Sequence, residues 1–210
     1  MTNHARAERI ALCDLLSEVG PDAPTLCAGW TTRDLAAHLI VRETRPDAAA
    51  GILIARLAPR GERVRRRIAA REWREIVAQV RSGPPRLSPM RISAVDSLAN
   101  TLEFFVHHED VRRAGPDWDV RRLDDDLDLA LLRSLERGAR LMGRKAPCGL
   151  TMTPTGGIAF PVRRGEPVVD VAGDIGELVL FIYGRASAAR VALRGAEADV
   201  AAVRATRFGV

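Results

Sequence analysis

A chain of 210 residues that is 47% hydrophobic and 28% charged has the length and composition of a globular protein with one domain or two packed ones. No apolar run approaches the roughly 18 residues of a membrane span, and the polar start MTNHARAERI lacks the apolar core of a signal peptide. We therefore expect a cytoplasmic protein without a membrane partner.

The net charge of +5 comes almost entirely from arginine, since Lys145 is the only lysine among 32 basic residues. In an alanine-rich chain this bias is typical of a GC-rich bacterial genome. The densest basic cluster runs from Arg56 to Arg74, but aromatic residues make up only 4% of the chain, so stacking platforms for bases are scarce. We expect a solvated helix face and no nucleic-acid partner.

The three cysteines, Cys13, Cys27 and Cys148, have no C-x-x-C spacing. They predict neither a disulfide framework nor a thiolate metal site, and are expected to be buried or partly buried free thiols.

Helices dominate the first part of the chain. A helix from Thr2 to Val19 should end at Gly20-Pro21, and a second should begin at Thr31, where Thr31-x-x-Asp34 forms a capping box. Pro46 predicts a kink or an early end of that helix, although residues 47–57 remain helix-prone. A third helical region is predicted from Glu62 to Val80, and a long one from Ala94 to Ala114.

The long helix carries one narrow polar stripe between apolar flanks, formed by Asp96, Asn100, Glu103, His107 and Asp110. Such a stripe more often points into a bundle than to solvent. Inside a bundle, its carboxylates and imidazole need a partner. Glu103 and His107, at i and i+4, project from the same face. Spacing alone also allows an ordinary Glu–His pair on a wet surface.

The character of the chain changes after a further helix, which has Asp124, Asp125 and Asp126 at its N-terminal, positive end and runs to about Met142. Short strand-like runs then follow near residues 150, 160, 170 and 192, with helices after Asp174 and from Ala196. The pattern predicts an N-terminal all-α bundle over residues 1–143 and a small α+β domain over 147–210.

Among the four histidines, His4 lies on a frayed terminus and His108 is rotated away from the stripe as a surface or packing residue. The remaining set of His38, Glu103 and His107 suits a catalytic Zn²⁺ with an open position, and equally Fe(II), Ni²⁺ or Mn²⁺. A single histidine among apolar neighbours, as His38 is, is more often a packed core residue than a ligand. Asp110 could orient His107, or it could form an ion pair with Arg113 or Arg45.

Three motifs resemble the mycothiol-dependent maleylpyruvate isomerase family, whose members are DinB-like bundle proteins. The motifs are LCAGWTTRDLAAHL from Leu26 to Leu39, Glu103-x-x-x-His107-x-x-Asp110, and GDIGELVLFIYGR from Gly173 to Arg185. In the last motif Phe181 and Tyr183 replace the tryptophans usual in the family.

The resemblance implies a DinB-like four-helix bundle in which His38, Glu103 and His107 bind a divalent metal, Zn²⁺ or another transition metal. It also implies mycothiol as the thiol co-substrate. Arg185 would face the metal pocket and could hold a carboxylate, and Asp110 would act beside it in catalysis. Arg42, which shares the side of the helix with His38, is expected to bind the thiol cofactor together with Arg185.

The implied reaction is thiol transfer to a small electrophile, or its cis–trans isomerisation through a thiol adduct. The other classes are a metal-dependent hydrolase, with Glu43 or Asp110 as base, and a metal-binding module or sensor without turnover. The partners would be a small thiol and an electrophile, and the protein a monomer or homodimer.

Overall fold

The computed structural model describes residues 3–44, 58–84 and 94–209, with the backbone alone at residues 58 and 94–99. In these ranges it forms eight α-helices and a four-stranded sheet, which lies in the C-terminal part. Among the described helices, none is long and apolar enough to cross a membrane. The prediction at Pro46 and residues 47–57 lies outside the described residues. The chain divides into two compact units, Met1–Asp119 and Val120–Val210.

The described part of the first unit is helical. Its helices are α1 (His4–Val19), α2 (Thr32–Thr44), α3 (Ala58–Ala69), α4 (Trp73–Ser82) and α5 (Ala94–Arg112). Buried side chains of α1, α2, α4 and α5 form one hydrophobic core, which includes Leu12, Leu16, Leu35, Leu39, Ile76, Val80 and Phe104. The helical prediction for this region is therefore confirmed.

Local hydrogen bonds account for where these helices begin. Asn3 Oδ1 accepts the backbone N–H of Arg6 at 3.0 Å and caps α1. Asp34 Oδ2 accepts the backbone N–H of Thr31 at 3.1 Å, which is the side-chain half of the predicted capping box. Helix α2 therefore starts at a defined residue, and the face of the helix on which His38 lies follows from that start.

The helical region predicted from Glu62 to Val80 is divided in two. Arg33 of α2 donates to the carbonyl oxygens of Ala69 and Arg71, each at 3.0 Å, so the end of α3 is satisfied by a side chain from another helix. Glu72 then accepts the N–H of Arg74 at 2.6 Å and caps α4. No glycine or proline marks this break, and periodicity alone did not predict it.

The second unit is a small helix-and-sheet assembly. Its elements are α6 (Asp125–Met142), a short 3₁₀ turn (Gly143–Lys145), β1 (Gly149–Pro154), β2 (Phe160–Arg163), β3 (Val168–Gly173), α7 (Ile175–Ile182), β4 (Ala192–Arg194) and α8 (Glu197–Ala205). The strand order is β2–β1–β3–β4, with β1 and β3 parallel and the two outer pairings antiparallel.

The division between the units falls one helix earlier than the predicted boundary at 143–147. Helix α6 buries Leu127, Leu131 and Leu135 and packs against α7 and β2. The apolar stripe of α6 predicts that one face of this helix is buried. The stripe does not show whether that face packs on other helices or on a sheet, so the sequence did not assign α6 to the second unit.

Candidate metal centre

Two helices of the first unit bring His38, Glu103 and His107 together. His38 lies on α2, while Glu103 and His107 lie one turn apart on α5. Nε2 of His38 is 3.4 Å from Glu103 Oε1, and Nε2 of His107 is 3.2 Å from the same oxygen. All three ligand atoms lie within 4.8 Å of one another, so the group could hold a metal ion.

The spacing of these atoms fits a tetrahedral metal. Ligands placed about 2.0–2.1 Å from a Zn²⁺ ion lie roughly 3.3 Å apart along a tetrahedron's edge. The two measured separations, 3.2 and 3.4 Å, bracket that length. Two imidazole nitrogens and one carboxylate oxygen also form the kind of donor set that leaves a position for water or substrate. The residues therefore fit a divalent transition metal, while the same separations suit direct hydrogen bonds when no metal is bound.

Asp110 fixes the orientation of the His107 ring. Its carboxylate has no solvent exposure, and Oδ2 lies 2.9 Å from His107 Nδ1. A carboxylate only accepts, so Nδ1 carries a proton, and Nε2 is the nitrogen that a metal would bind. Burial alone would lower the pKa of His107, but hydrogen bonds with Asp110, Cys27 and Glu103 outweigh it and raise that pKa well above its usual range, so a metal at Nε2 would displace a proton. Arg113, named in the alternative ion pair, donates from Nε to Glu109 Oε2 at 2.6 Å, and its pairing with Asp110 stays a prediction. Arg45 lies outside the described residues.

Burial and the neighbouring charges set the protonation of the group. Burial lowers the pKa of His38, and the hydrogen bond that its ring donates to Glu103 only partly offsets this, which favours the neutral ring that a metal requires. Burial alone would raise the pKa of Glu103, but hydrogen bonds with His107 and His38 outweigh it and hold that pKa well below its usual range. Glu103 is thus a carboxylate.

The predicted cofactor residue Arg42 lies beside this group. Its Nε is 3.3 Å from Glu103 Oε1, and its Nη1 donates to Asn100 Oδ1 at 2.5 Å. Asn100 belongs to the predicted polar stripe of α5, whereas the side chain of Asp96 lies outside the described part of the chain. The positive charge of the Arg42 guanidinium next to Glu103 favours binding of an anionic ligand beside this group.

The loop before α2 contributes two residues, Cys27 and Trp30, for which the sequence analysis predicted no role in the site. The ring of Trp30 lies 5.2 Å from that of His38, and the guanidinium of Arg65 lies 5.0 Å from the Trp30 ring centre. Cys27 Sγ donates to Asp110 Oδ2 at 3.2 Å. Cys27 and Trp30 belong to the LCAGW motif. Because 83 positions separate Cys27 from Asp110, no local sequence pattern predicts that the two side chains are in contact.

Other candidate residues lie apart from the group or in the second unit. His108 is buried and its Nδ1 lies 3.1 Å from Glu8 Oε2, which agrees with a packing role. His4 begins α1. Arg185 follows α7 in the second unit, where its Nη1 donates to the carbonyl oxygen of Tyr183 at 2.6 Å. Its predicted role toward the metal pocket stays a prediction.

The geometry thus defines a protein with a His₂Glu group on two N-terminal helices and a small mixed sheet in its C-terminal part. No protein-family model matches the sequence. A search of curated proteins finds no match.

Solved structures do resemble the chain. The crystal structure of a mycothiol-dependent maleylpyruvate isomerase matches with a TM-score of 0.58 and 16% sequence identity, covering 90% of each chain. A histidine-to-alanine mutant of a mycothiol-dependent maleylpyruvate isomerase matches with a TM-score of 0.57 and 17% identity, again over 90% of each chain. At such low identity the likeness establishes a distantly related fold.

Proposed function

We propose that the chain is a divalent-metal-dependent enzyme that uses a small thiol, mycothiol or a close analogue, in transfer to or cis–trans isomerisation of a small electrophile. The observation that carries this proposal is the His38–Glu103–His107 group, whose three ligand atoms lie within 4.8 Å of one another. The fold shared with mycothiol-dependent maleylpyruvate isomerases supports the choice of thiol and reaction class. We further propose that the N-terminal helices form a DinB-like four-helix bundle and that the protein is cytoplasmic.

In this proposal each residue of the group has one task. His38 and His107 present Nε2, and Glu103 presents Oε1, to the metal. Asp110 keeps the proton of His107 on Nδ1. A bound divalent metal would supply a positive charge that favours the thiolate form of a nearby thiol, which is the reactive nucleophile.

The charges of the site suit an anionic ligand. Glu103 and Asp110 together balance a divalent cation, which leaves Arg42 as an additional positive charge at the edge of the group. A thiolate or a carboxylate would neutralise that charge. We therefore assign Arg42 to binding of the thiol co-substrate, with Arg185 as a second proposed contact.

The chemistry requires no cysteine of the protein. The thiolate sulfur adds to an activated double bond and forms a C–S bond, and the substrate's electron-withdrawing group takes up the electron pair. In an isomerase the resulting single bond rotates and the thiolate leaves as the double bond re-forms. In a transferase the adduct takes up a proton and is released.

The hydrolase alternative has less support, because neither proposed base is positioned for it. Glu43 is buried and accepts from Arg9 Nη1 at 2.8 Å, while Asp110 accepts from His107 and Cys27. A carboxylate whose oxygens already accept hydrogen bonds in this way is a poor general base.

The first test is the metal content of the purified protein by elemental mass spectrometry. We expect about one equivalent of a divalent transition metal, lost in His38→Ala and Glu103→Ala and retained in the control His4→Ala. Metal-loaded protein should then consume an electrophile such as maleylpyruvate only when mycothiol is present. Metal binding without turnover over a panel of electrophiles would favour the sensor alternative, and a protein that binds no metal would end the proposal.

A further inference from the structure

We infer that Cys27 is a positioning residue for the metal ligand His107, acting through Asp110. The inference rests on the proposed metal site and adds a residue that contacts Asp110, the partner of the ligand His107. Asp110 Oδ2 accepts two hydrogen bonds, from His107 Nδ1 at 2.9 Å and from Cys27 Sγ at 3.2 Å. The thiol and the ring nitrogen thus share one carboxylate oxygen as their hydrogen-bond acceptor.

The position of Asp110 makes this second donor important. The carboxylate has no solvent exposure, so water does not reach it to replace a lost hydrogen bond. A buried carboxylate with one donor fewer is held less firmly in its orientation. The orientation of His107 Nε2 toward Glu103 would then be less well defined.

The loop that carries Cys27 is held in place without the thiol. The backbone N–H of Leu26 donates to the carbonyl oxygen of Asp110 at 2.9 Å. Thr25 Oγ1 accepts the N–H of Cys27 at 3.2 Å and donates to the carbonyl oxygen of Trp30 at 2.8 Å. Exchange of the Cys27 side chain should therefore leave the loop docked on α5, so that its effect reports on the hydrogen bond.

A different role for the same thiol is testable beside this one. Ligand atoms of Cys27, His107 and Asp110 also lie within 4.8 Å of one another and could hold a metal themselves. In that case the thiolate sulfur would be a ligand. Positioning and ligation differ in a signature that cobalt makes visible, because a coordinated thiolate gives a charge-transfer band in the near ultraviolet.

The experiment compares the wild type with Cys27→Ala, Cys27→Ser and the control Cys148→Ala, whose thiol belongs to the second unit. Each protein is titrated with Co²⁺, and thermal unfolding of the metal-free form checks its folding. We expect Cys27→Ala to weaken cobalt affinity about tenfold, the lower end of the range for outer partners of metal ligands. Cys27→Ser, which keeps a donor, should restore the affinity, and no thiolate-to-cobalt band should appear.

Long-range ¹H–¹⁵N spectra of the metal-free proteins provide a readout that needs no metal. The ring nitrogens of His107 should shift in Cys27→Ala and return toward the wild-type position in Cys27→Ser. If the wild type binds no cobalt, the proposed function fails, while these spectra still decide the positioning role.

Three results would overturn the inference. One is cobalt affinity and His107 spectra that do not change in Cys27→Ala. Another is an equal loss of affinity in Cys27→Ser, since that variant retains the hydrogen bond. The last is a thiolate-to-cobalt band in the wild type that disappears with Cys27, which would make the sulfur a ligand.

Discussion

The carboxylate of Asp110 lies 2.9 Å from Nδ1 of His107, with no solvent exposure. A carboxylate on one ring nitrogen directs the lone pair of the other toward a metal and raises its basicity. The Asp110→Asn variant should therefore bind metal about 10- to 100-fold more weakly, as is typical for outer partners of ligating histidines. Isothermal titration with Zn²⁺ measures this, with Asp119→Asn as the control. Unchanged affinity would show that Asp110 does not orient the ligand.

Removal of the Arg42 side-chain charge should separate thiol binding from metal binding. Arg42 lies at the edge of the group and contacts Glu103 and Asn100. In Arg42→Gln we expect metal content to stay near the wild-type value and KM for the thiol to rise about tenfold, the cost of a lost hydrogen bond between charged groups. Steady-state kinetics with varied thiol measures this. Loss of the metal instead would mean that Arg42 maintains Glu103 and does not bind the thiol.

The ion pair between Arg9 and Glu43 joins α1 to α2 inside the first unit. Arg9 Nη1 donates to Glu43 Oε2 at 2.8 Å and to the carbonyl oxygen of Val80 at 2.8 Å, and both side chains are buried. Arg9→Met should lower the free energy of unfolding by about 3–5 kcal/mol, because it leaves a buried carboxylate without its cation.

The double variant Arg9→Met with Glu43→Met removes both charges and should recover most of that loss. Urea unfolding of the two variants measures the difference. A double variant as unstable as Arg9→Met alone would show that packing of the Arg9 side chain against Phe104, with the guanidinium 4.1 Å from the ring centre, dominates.

Glu62 gives α3 a stability that depends on pH. The hydrogen bond from Arg65, supported by Arg66, lowers the pKa of Glu62 from 4.5 to about 2. A carboxyl group with a lower pKa in the folded state stabilises that state above pH 4.5, and the contribution disappears as the pH falls from 4.5 toward about 2. The stability difference between wild type and Glu62→Gln should therefore be largest at neutral pH and shrink over that window. A difference that stays constant across this range would contradict the assignment.

Helical periodicity predicted that Glu103 and His107 share one face of a long helix, and the structure places their side chains together. The same periodicity could not select His38 as their partner, since a histidine among apolar neighbours is usually a packed core residue. Elimination among the four histidines left His38 as the candidate, and the resemblance to family motifs supported that choice. Cys27 was not predicted to contact Asp110, because a contact between a loop and a distant helix leaves no trace in either local pattern.

His38 and Glu103 come from separate helices, with 64 residues between them in the sequence. A metal held by both would act as a crosslink that closes a long loop, and its binding energy would add to the stability of the fold. At a free metal concentration 100 times the dissociation constant, this linkage amounts to about 2.7 kcal/mol. Occupancy of the site and integrity of the helical unit would then be linked, so that loss of metal would lower the fraction of folded protein.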